Sequence, residues 1–384
     1  MRILNTTVLL SQMIGGGTAE RTFQMSRNFV QKGCECSILT TNIDLNDDRI
    51  NSLENVQLVA LRCLFRRFFV VAFSIKKIKR LVSNVDVIHM MGHWNMINVI
   101  VYFFAKKAAK PYVICPAGEL TLFGRSILLK RLFNLLIGNR IIKDASGYIA
   151  VTHDEIPLFE AYDVKSDNII VIPNGVNESD FLPRDSAPFA SRVGIKESPY
   201  ILFMGRLNPI KGPDLLLMAF LKIATRFPNH HLVFAGPDGG MLEELNHILV
   251  QSSVSDRVHF VGYISGADKV AAYRDAELLV IPSRHEAMSI VVLESGMLQT
   301  PVLITNQCGF NDVEEVSGGI VVQASVAGIE KGLLKALEDP IKLQNMGGNL
   351  NSYVLKNFTW NMIGEKYLQF FNKIINENLA TQLR

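Results

Sequence analysis

Short apolar runs alternate with amphipathic stretches along almost the whole chain. RILNTTVLL (2–10), CSILTT (36–41), VQLVAL (56–61), DVIHMM (86–91), PYVICP (111–116) and GYIAVT (147–152) have the length and apolar content of buried strands. Between the first two, TAERTFQMSRNFVQKG (18–33) sets Phe23, Met25, Phe29 and Val30 at near-helical spacing, with Gly33 where a helix would cap. A second series follows a junction rich in Pro, Asp and Ser (182–199). Its strands are YILFMG (200–205), HHLVFAG (230–236), RVHFVG (257–262), ELLVIPS (277–283), PVLIT (301–305) and GIVV (319–322). This rhythm predicts an α/β fold with parallel sheets covered by helices on both faces. The junction predicts two Rossmann-like domains, 1–183 and 198–358, with a closing amphipathic helix over 361–379 packing back on the first.

Composition fits that reading and narrows it. The chain has 384 residues, 48% apolar and 20% charged, with mean hydropathy +0.21, as expected for two globular domains. The longest apolar runs, FFVVAF (68–73) and VIVYFFA (99–105), fall far short of the ~18–20 residues of a spanning helix. MRILNTTVLLSQMIGGG at the start breaks its apolar run at Asn5, Thr6 and Thr7, so it reads as a first strand rather than a signal peptide. Five scattered cysteines, the closest pair being C-x-C, suggest neither a disulfide framework nor a zinc site. A cytoplasmic protein is expected.

Charge changes the picture more. The net charge is only +3, yet residues 62–143 carry 15 Lys and Arg against two acids, Asp86 and Glu119, a net of +13. Such segregation points to an anionic partner. LRCLFRRFFVVAFSIKKIKRL (61–81) and LTLFGRSILLKRLFNLLIGNRIIK (120–143) interleave cations with Phe, Leu and Ile. They read either as helices with snorkelling cations or as interfacial segments on anionic lipid; membrane contact is the reading preferred. Nucleic acid is disfavoured, because no recognised binding motif accompanies the charge.

Candidate chemistry gathers at the predicted strand ends of the second series, where open α/β sheets bind ligands. In GRLNPIKG (205–212), Arg206 and Lys211 flank Pro209, a guanidinium fork and a point charge suited to a diphosphate. In PSRHEAMSIVVLESG (282–296), two glutamates, Glu286 and Glu294, stand eight positions apart around an apolar core. A helix beginning near Ser289 would offer free N–H groups to a phosphate or sugar oxygen. Either carboxylate could equally be a loop cap or a helix residue paired with a cation.

Taken together, these motifs resemble glycosyltransferase family 4. The E-x7-E pair matches Glu286–Glu294, GRL-x-x-x-KG matches 205–212, IPNGV matches 172–176, PS-x-x-E matches 282–286, and a GG loop before a helix matches Gly16 and Gly17. The resemblance covers nearly the whole chain. It implies the GT-B fold, two Rossmann-like domains facing across a cleft, the first for the acceptor and the second for the donor. It further implies a retaining, metal-independent enzyme using a nucleotide diphosphate sugar such as a UDP- or GDP-sugar, with no cofactor. In that frame Arg206 and Lys211 bind the donor diphosphate and Glu294 takes the ribose hydroxyls. Glu286 holds the transferred sugar, with the amides of Ala287, Met288 and Ser289 around it, and Gly16 and Gly17 approach the phosphates.

The chain departs from the family pattern twice. Ala287-Met288-Ser289 replaces the usual Gly-Phe-Gly, and PAGEL follows the 111–116 strand where many members carry a His. His93 and Glu119, with His89 nearby, are therefore the acceptor-side candidates. Many relatives glycosylate lipid-linked acceptors, so a role in bacterial cell-surface glycan synthesis (O-antigen, capsule or lipopolysaccharide), peripheral at the inner face of the cytoplasmic membrane, is expected. Two rivals stay open: a GT-B-like nucleotide-sugar epimerase and a non-catalytic, membrane-associated nucleotide-sugar-binding protein. A dinucleotide oxidoreductase is disfavoured, because the first strand leads into IGGGTAE rather than G-x-G-x-x-G.

Overall fold

The computed structural model describes residues 1–121, 126–182, 188–195, 198–250 and 252–382. Residues 122–125 of the second basic segment, and 183–187 and 196–197 of the junction, lie outside the described residues. The chain forms two compact units. One is Met1–Gly175 together with Trp360–Arg384, and the other is Val176–Thr359. The division falls at Gly175, inside IPNGV, and not in the Pro-rich junction, which lies within the second unit.

The first unit holds a seven-stranded parallel sheet in the order β3-β2-β1-β6-β7-β8-β9. These strands are β1 (Arg2–Thr6), β2 (Glu35–Thr41), β3 (Val56–Leu61), β6 (Val87–Met91), β7 (Tyr112–Cys115), β8 (Gly147–Ala150) and β9 (Ile169–Val171). A separate antiparallel hairpin, β4 (Cys63–Phe65) with β5 (Val70–Val71), leaves the sheet edge after β3. β1 stops at Thr6, earlier than the apolar run suggests. Beyond it Leu10 stays fully buried, but the chain has turned off the sheet to reach the helix Gly16–Gln31. The long C-terminal helix, Trp360–Gln382, belongs to this unit, and Tyr367 and Phe371 both pack edge-on against Phe29 of Gly16–Gln31.

The second unit holds a six-stranded parallel sheet in the order β12-β11-β10-β13-β14-β15. Its strands are β10 (Tyr200–Met204), β11 (His231–Ala235), β12 (Val258–Gly262), β13 (Leu278–Ile281), β14 (Val302–Thr305) and β15 (Gly319–Val322). In both sheets the central strands are buried on both faces, which is why they read as continuous apolar runs.

The strand orders decide where loops meet. Strand order reverses between β1 and β6 in one sheet and between β10 and β13 in the other. Loops leaving the carboxyl ends of such neighbours diverge to opposite faces and open a crevice for ligands. The loops after β10 and β13 are 205–212 and 282–289; those after β1 and β6 hold Gly16, Gly17 and His93.

Candidate functional site

In the second unit, β10 and β13 are direct neighbours, so GRLNPIKG and PSRHEAMS emerge side by side. Gly212 has φ +66°, and a Cβ there would come within 2.2 Å of the Pro282 carbonyl oxygen, so close approach of the two loops requires glycine. Arg284 completes the join. Its guanidinium donates to both carboxylate oxygens of Asp214 (2.9 and 2.6 Å) and to the Pro209 carbonyl (2.7 Å), while its backbone N–H donates to Ile210 O (2.7 Å). Asp214 holds the Arg284 guanidinium pKa above its ordinary value.

This join brings Lys211 onto Glu286, with Nζ 2.8 Å from Oε1. The Ser283 hydroxyl donates to the same Glu286 oxygen. Asn208 Oδ1 accepts from the Lys211 N–H at 2.9 Å and fixes the turn that presents the lysine. Arg206, one residue past Gly205 (φ +157°), is half-buried in the same loop.

A third loop, after β14, supports Glu286 from behind. The Glu286 N–H donates to Gln307 O (2.8 Å) and the Ser289 N–H to Cys308 O (3.1 Å). Gly309, φ +61°, lies so close that a Cβ would meet the Ala287 carbonyl oxygen at 1.9 Å. Ala287, Met288 and Ser289 are thereby held along one short stretch of backbone ahead of the helix Ile290–Met297. Ser289 occupies the N-cap position of that helix and is fully buried, but its Oγ has no hydrogen-bond partner and makes no cap bond.

Glu294 lies one turn into the same helix, buried at 6% exposure. Lys269 Nζ donates to its Oε1 (2.6 Å) and the Tyr273 hydroxyl to its Oε2 (2.7 Å). Burial first, then the Glu294 charge, pushes the Tyr273 pKa well up, so it remains the donor. A carboxylate has about four lone-pair sites, so two partners leave room for more. Lys269 and Tyr273 are absent from the sequence reading. Their only signal is i, i+4 spacing on the helix Gly266–Arg274.

In the first unit, Gly16 and Gly17 are exposed at the start of Gly16–Gln31, Gly16 with φ +63°. His93, just after β6, is 1% exposed, and its Nε2 lies 2.9 Å from Asn134 Oδ1. Burial lowers its pKa to about 4, so the ring is neutral near pH 7. Glu119 accepts from the backbone N–H groups of His93 (2.6 Å) and Trp94 (3.3 Å), and desolvation raises its pKa. The structure thus brings these two candidates together. His89 lies elsewhere: it is fully buried against Tyr367 and Phe371, with its pKa lowered to about 3 by burial and by the nearby Arg21 charge.

Arg21 was also not anticipated. It is 1% exposed, and its guanidinium donates to Asn174 Oδ1 (2.7 Å), Ile172 O (2.6 Å) and the Tyr367 hydroxyl (2.6 Å). Among the described residues no group of three or more His, Cys, Asp or Glu could hold a metal ion, and no helix is long and apolar enough to cross a membrane.

Solved structures share this architecture along the whole chain. Sucrose-phosphate synthase from Thermosynechococcus elongatus superposes with a TM-score of 0.79 at 18% identity, covering 98% of this chain and 100% of that one. Anabaena HepE in complex with UDP and glucose gives 0.79 at 17%, covering 97% and 100%. WaaG, a glycosyltransferase involved in lipopolysaccharide biosynthesis, gives 0.69 at 18%, covering 96% and 99%. Two parallel-sheet α/β units of this kind are the GT-B fold. Residues 15–180 match Glycosyltransferase Family 4 and residues 188–351 match Glycosyl transferases group 1. The chain belongs to this glycosyltransferase family.

Relatives by sequence include the D-inositol 3-phosphate glycosyltransferase of Nocardia farcinica, 28% identical over 248 residues, 62% of this chain and 55% of that protein. The enzyme of the same description from Frankia alni is 32% identical over 218 residues, covering 54% and 51%. The chain spans about half the length of these relatives.

Proposed function

We propose that this protein is a retaining glycosyltransferase. It moves a sugar from a nucleotide diphosphate sugar to a glycan or lipid-linked glycan in bacterial cell-surface polysaccharide synthesis, working at the inner face of the cytoplasmic membrane. The observation that carries the reading is the Lys211–Glu286 pair beside the Ser289 N-cap position, at the strand-order reversal of the second sheet. A nucleotide-sugar donor is further supported by the UDP and glucose in the HepE structure.

In this reading Lys211 and Arg206 meet the donor diphosphate, and the start of Ile290–Met297 adds its dipole. Negative charge grows on the diphosphate as the anomeric C–O bond breaks, and cations fixed beforehand stabilise it. Glu286 accepts from a hydroxyl of the transferred sugar, and Glu294, held by Lys269 and Tyr273, accepts from the ribose. The acceptor oxygen bonds to the anomeric carbon on the face the diphosphate leaves, and its proton passes to a donor phosphate oxygen. The donor's charge is met by side chains of the protein, with no metal required.

Thermal shift with a panel of UDP-, GDP- and ADP-sugars tests the donor site, since a ligand at a hundred times its Kd stabilises by about 2.7 kcal/mol. One nucleotide series should raise Tm, and anomeric NMR of the product should show retention. No shift with any donor, or an inverted linkage, removes the proposal.

A further inference from the structure

The helical segment 127–143 presents two apolar faces. Its inner face is ordinary: Phe133, Ile141 and Ile142 are buried in the first unit's core. Its outer face carries Leu128, Leu132, Leu135 and Leu136, exposed at 78, 49, 78 and 64%. Their i, i+4, i+7, i+8 spacing is that of one helical stripe. Single exposed leucines are unremarkable on soluble proteins, but four on one stripe are not scattered. A π turn, Asn134–Gly138, interrupts the helix at the stripe, a deviation that often marks functional sites.

The β4–β5 hairpin adjoins this helix. Phe68 stacks on Phe133 with centroids 5.9 Å apart and planes 7° off parallel, and Arg67 Nη2 donates to Ser126 Oγ at 2.7 Å. Here too apolar groups face outwards, with Leu64 59% and Phe65 61% exposed. At the hairpin tip Phe68 and Phe69 have φ +57° and +50°, a strained conformation for bulky side chains. The next helix, Ile75–Ser83, buries Ile78, Leu81 and Val82 and exposes Lys76, Lys77, Lys79 and Arg80.

Among the described residues Lys76, Lys77, Lys79 and Arg80 make no ion pair, although Lys106 and Lys143 further along the basic region pair with Asp144 and Asp163. Of the two acids in 62–143, Asp86 pairs with Arg2, and Glu119 receives the His93 and Trp94 backbone N–H groups. Exposed leucine and phenylalanine beside unbalanced lysine and arginine is the chemistry of an interfacial segment on negatively charged lipid. A nucleic acid would use the cations and leave the leucine stripe unexplained.

We infer that the leucine stripe of 127–136, the β4–β5 hairpin and the cationic face of Ile75–Ser83 form a docking surface for an anionic bilayer leaflet. This inference deepens the reading of the first unit as the acceptor side, because the inner face of the same helix holds the acceptor candidates. Phe133 packs edge-on to His93 and Trp94, each at 5.7 Å, and Asn134 reaches His93 Nε2. One helix therefore separates the lipid-facing stripe from the His93–Glu119 pair, and an acceptor anchored in the leaflet would enter beside them.

Co-sedimentation of the full chain tests this, using vesicles of phosphatidylcholine alone and of phosphatidylcholine mixed with phosphatidylglycerol. Wild type should sediment with the mixed vesicles and be partly released by salt. Leu128→Gln/Leu135→Gln/Leu136→Gln should weaken binding roughly tenfold or more, and Arg66→Gln/Lys76→Gln/Lys77→Gln/Lys79→Gln should abolish the preference for anionic lipid. Failure of wild type to bind the mixed vesicles, or wild-type binding by either variant, overturns the inference. So does a wild-type dimer that the leucine variant converts to monomer with vesicle binding unchanged, because the face then covers a second copy. A donor-induced Tm shift retained in both variants shows that the fold and donor site are intact. Absence of that shift in wild type defeats the transferase reading while leaving vesicle binding to stand or fall separately.

Discussion

At the scale of single residues, the second unit's candidate site is a set of ion pairs ready to be exchanged. Lys211 is held by Glu286, so on the proposed reading its charge is positioned before a donor arrives and only changes partner. Arg206→Ala or Lys211→Ala should therefore lower kcat about a hundredfold or more while Tm stays near wild type. Near-normal turnover in both variants would remove the diphosphate assignment. Glu294 behaves differently. It is buried and held twice, and the sequence marked its place without showing its partners. Lys269 and Tyr273 are spelled G-A-D-K-V-A-A-Y, an ordinary helix surface pattern until the fold lays Glu294 against it. The pair E-x7-E was legible because spacing along one helix is a local property, whereas the groups that hold it come from another element.

At the scale of elements, the loops after β10 and β13 act as one body. The bidentate Arg284–Asp214 contact ties 282–289 to the first turn of the helix Pro213–Ile223 and to Pro209. Asp214→Ala should leave Arg284 without its carboxylate partner, loosen 206–212, and raise the donor KM severalfold with a smaller fall in kcat. Steady-state kinetics separate these, and an unchanged KM would show that the loop holds its shape without the contact. Every strand of the two sheets but β9 was legible, because buried parallel strands are continuous apolar runs; β9 is a half-buried edge strand, and neither it nor the short β4–β5 hairpin makes a buried run of that kind. Their order was not. Nothing in YILFMG or ELLVIPS states that β10 pairs with β13, yet that adjacency sets side by side the loops that carry Lys211 and Glu286. The end of β1 at Thr6 was misjudged for a related reason: Leu10 is as buried as a strand residue while lying in a loop. Periodicity reports burial, not hydrogen bonding.

At the scale of the whole molecule, buried histidines set a pH dependence. His89 and His93 have folded pKa values of about 3 and about 4, below the 6.5 of a free imidazole. Between those values and 6.5 the unfolded chain binds more protons than the folded one, so their stabilisation is complete above pH 6.5 and is lost as pH falls towards 4. For His93 alone this amounts to at most about 3 kcal/mol. Glu119, and the buried Glu155 that accepts from the Val151 N–H at 2.6 Å, have pKa values raised by burial and act in the opposite sense, so the test is a difference: Tm of wild type and His93→Gln from pH 7.5 to 4.5. The variant should lose less stability on acidification, and parallel curves would show that His93 takes up a proton while folded.

The two-piece construction of the first unit bears on how the protein is born. Translation delivers residues 1–175 long before Trp360–Gln382, and residues 176–359 emerge between them. The inserted unit is complete as soon as Thr359 clears the ribosome. The first sheet meanwhile waits with Arg21 lacking the Tyr367 hydroxyl and Phe29 lacking its aromatic cover. The unit begun first is therefore the unit finished last, and nascent chains halted before Trp360 are the species most in need of a chaperone.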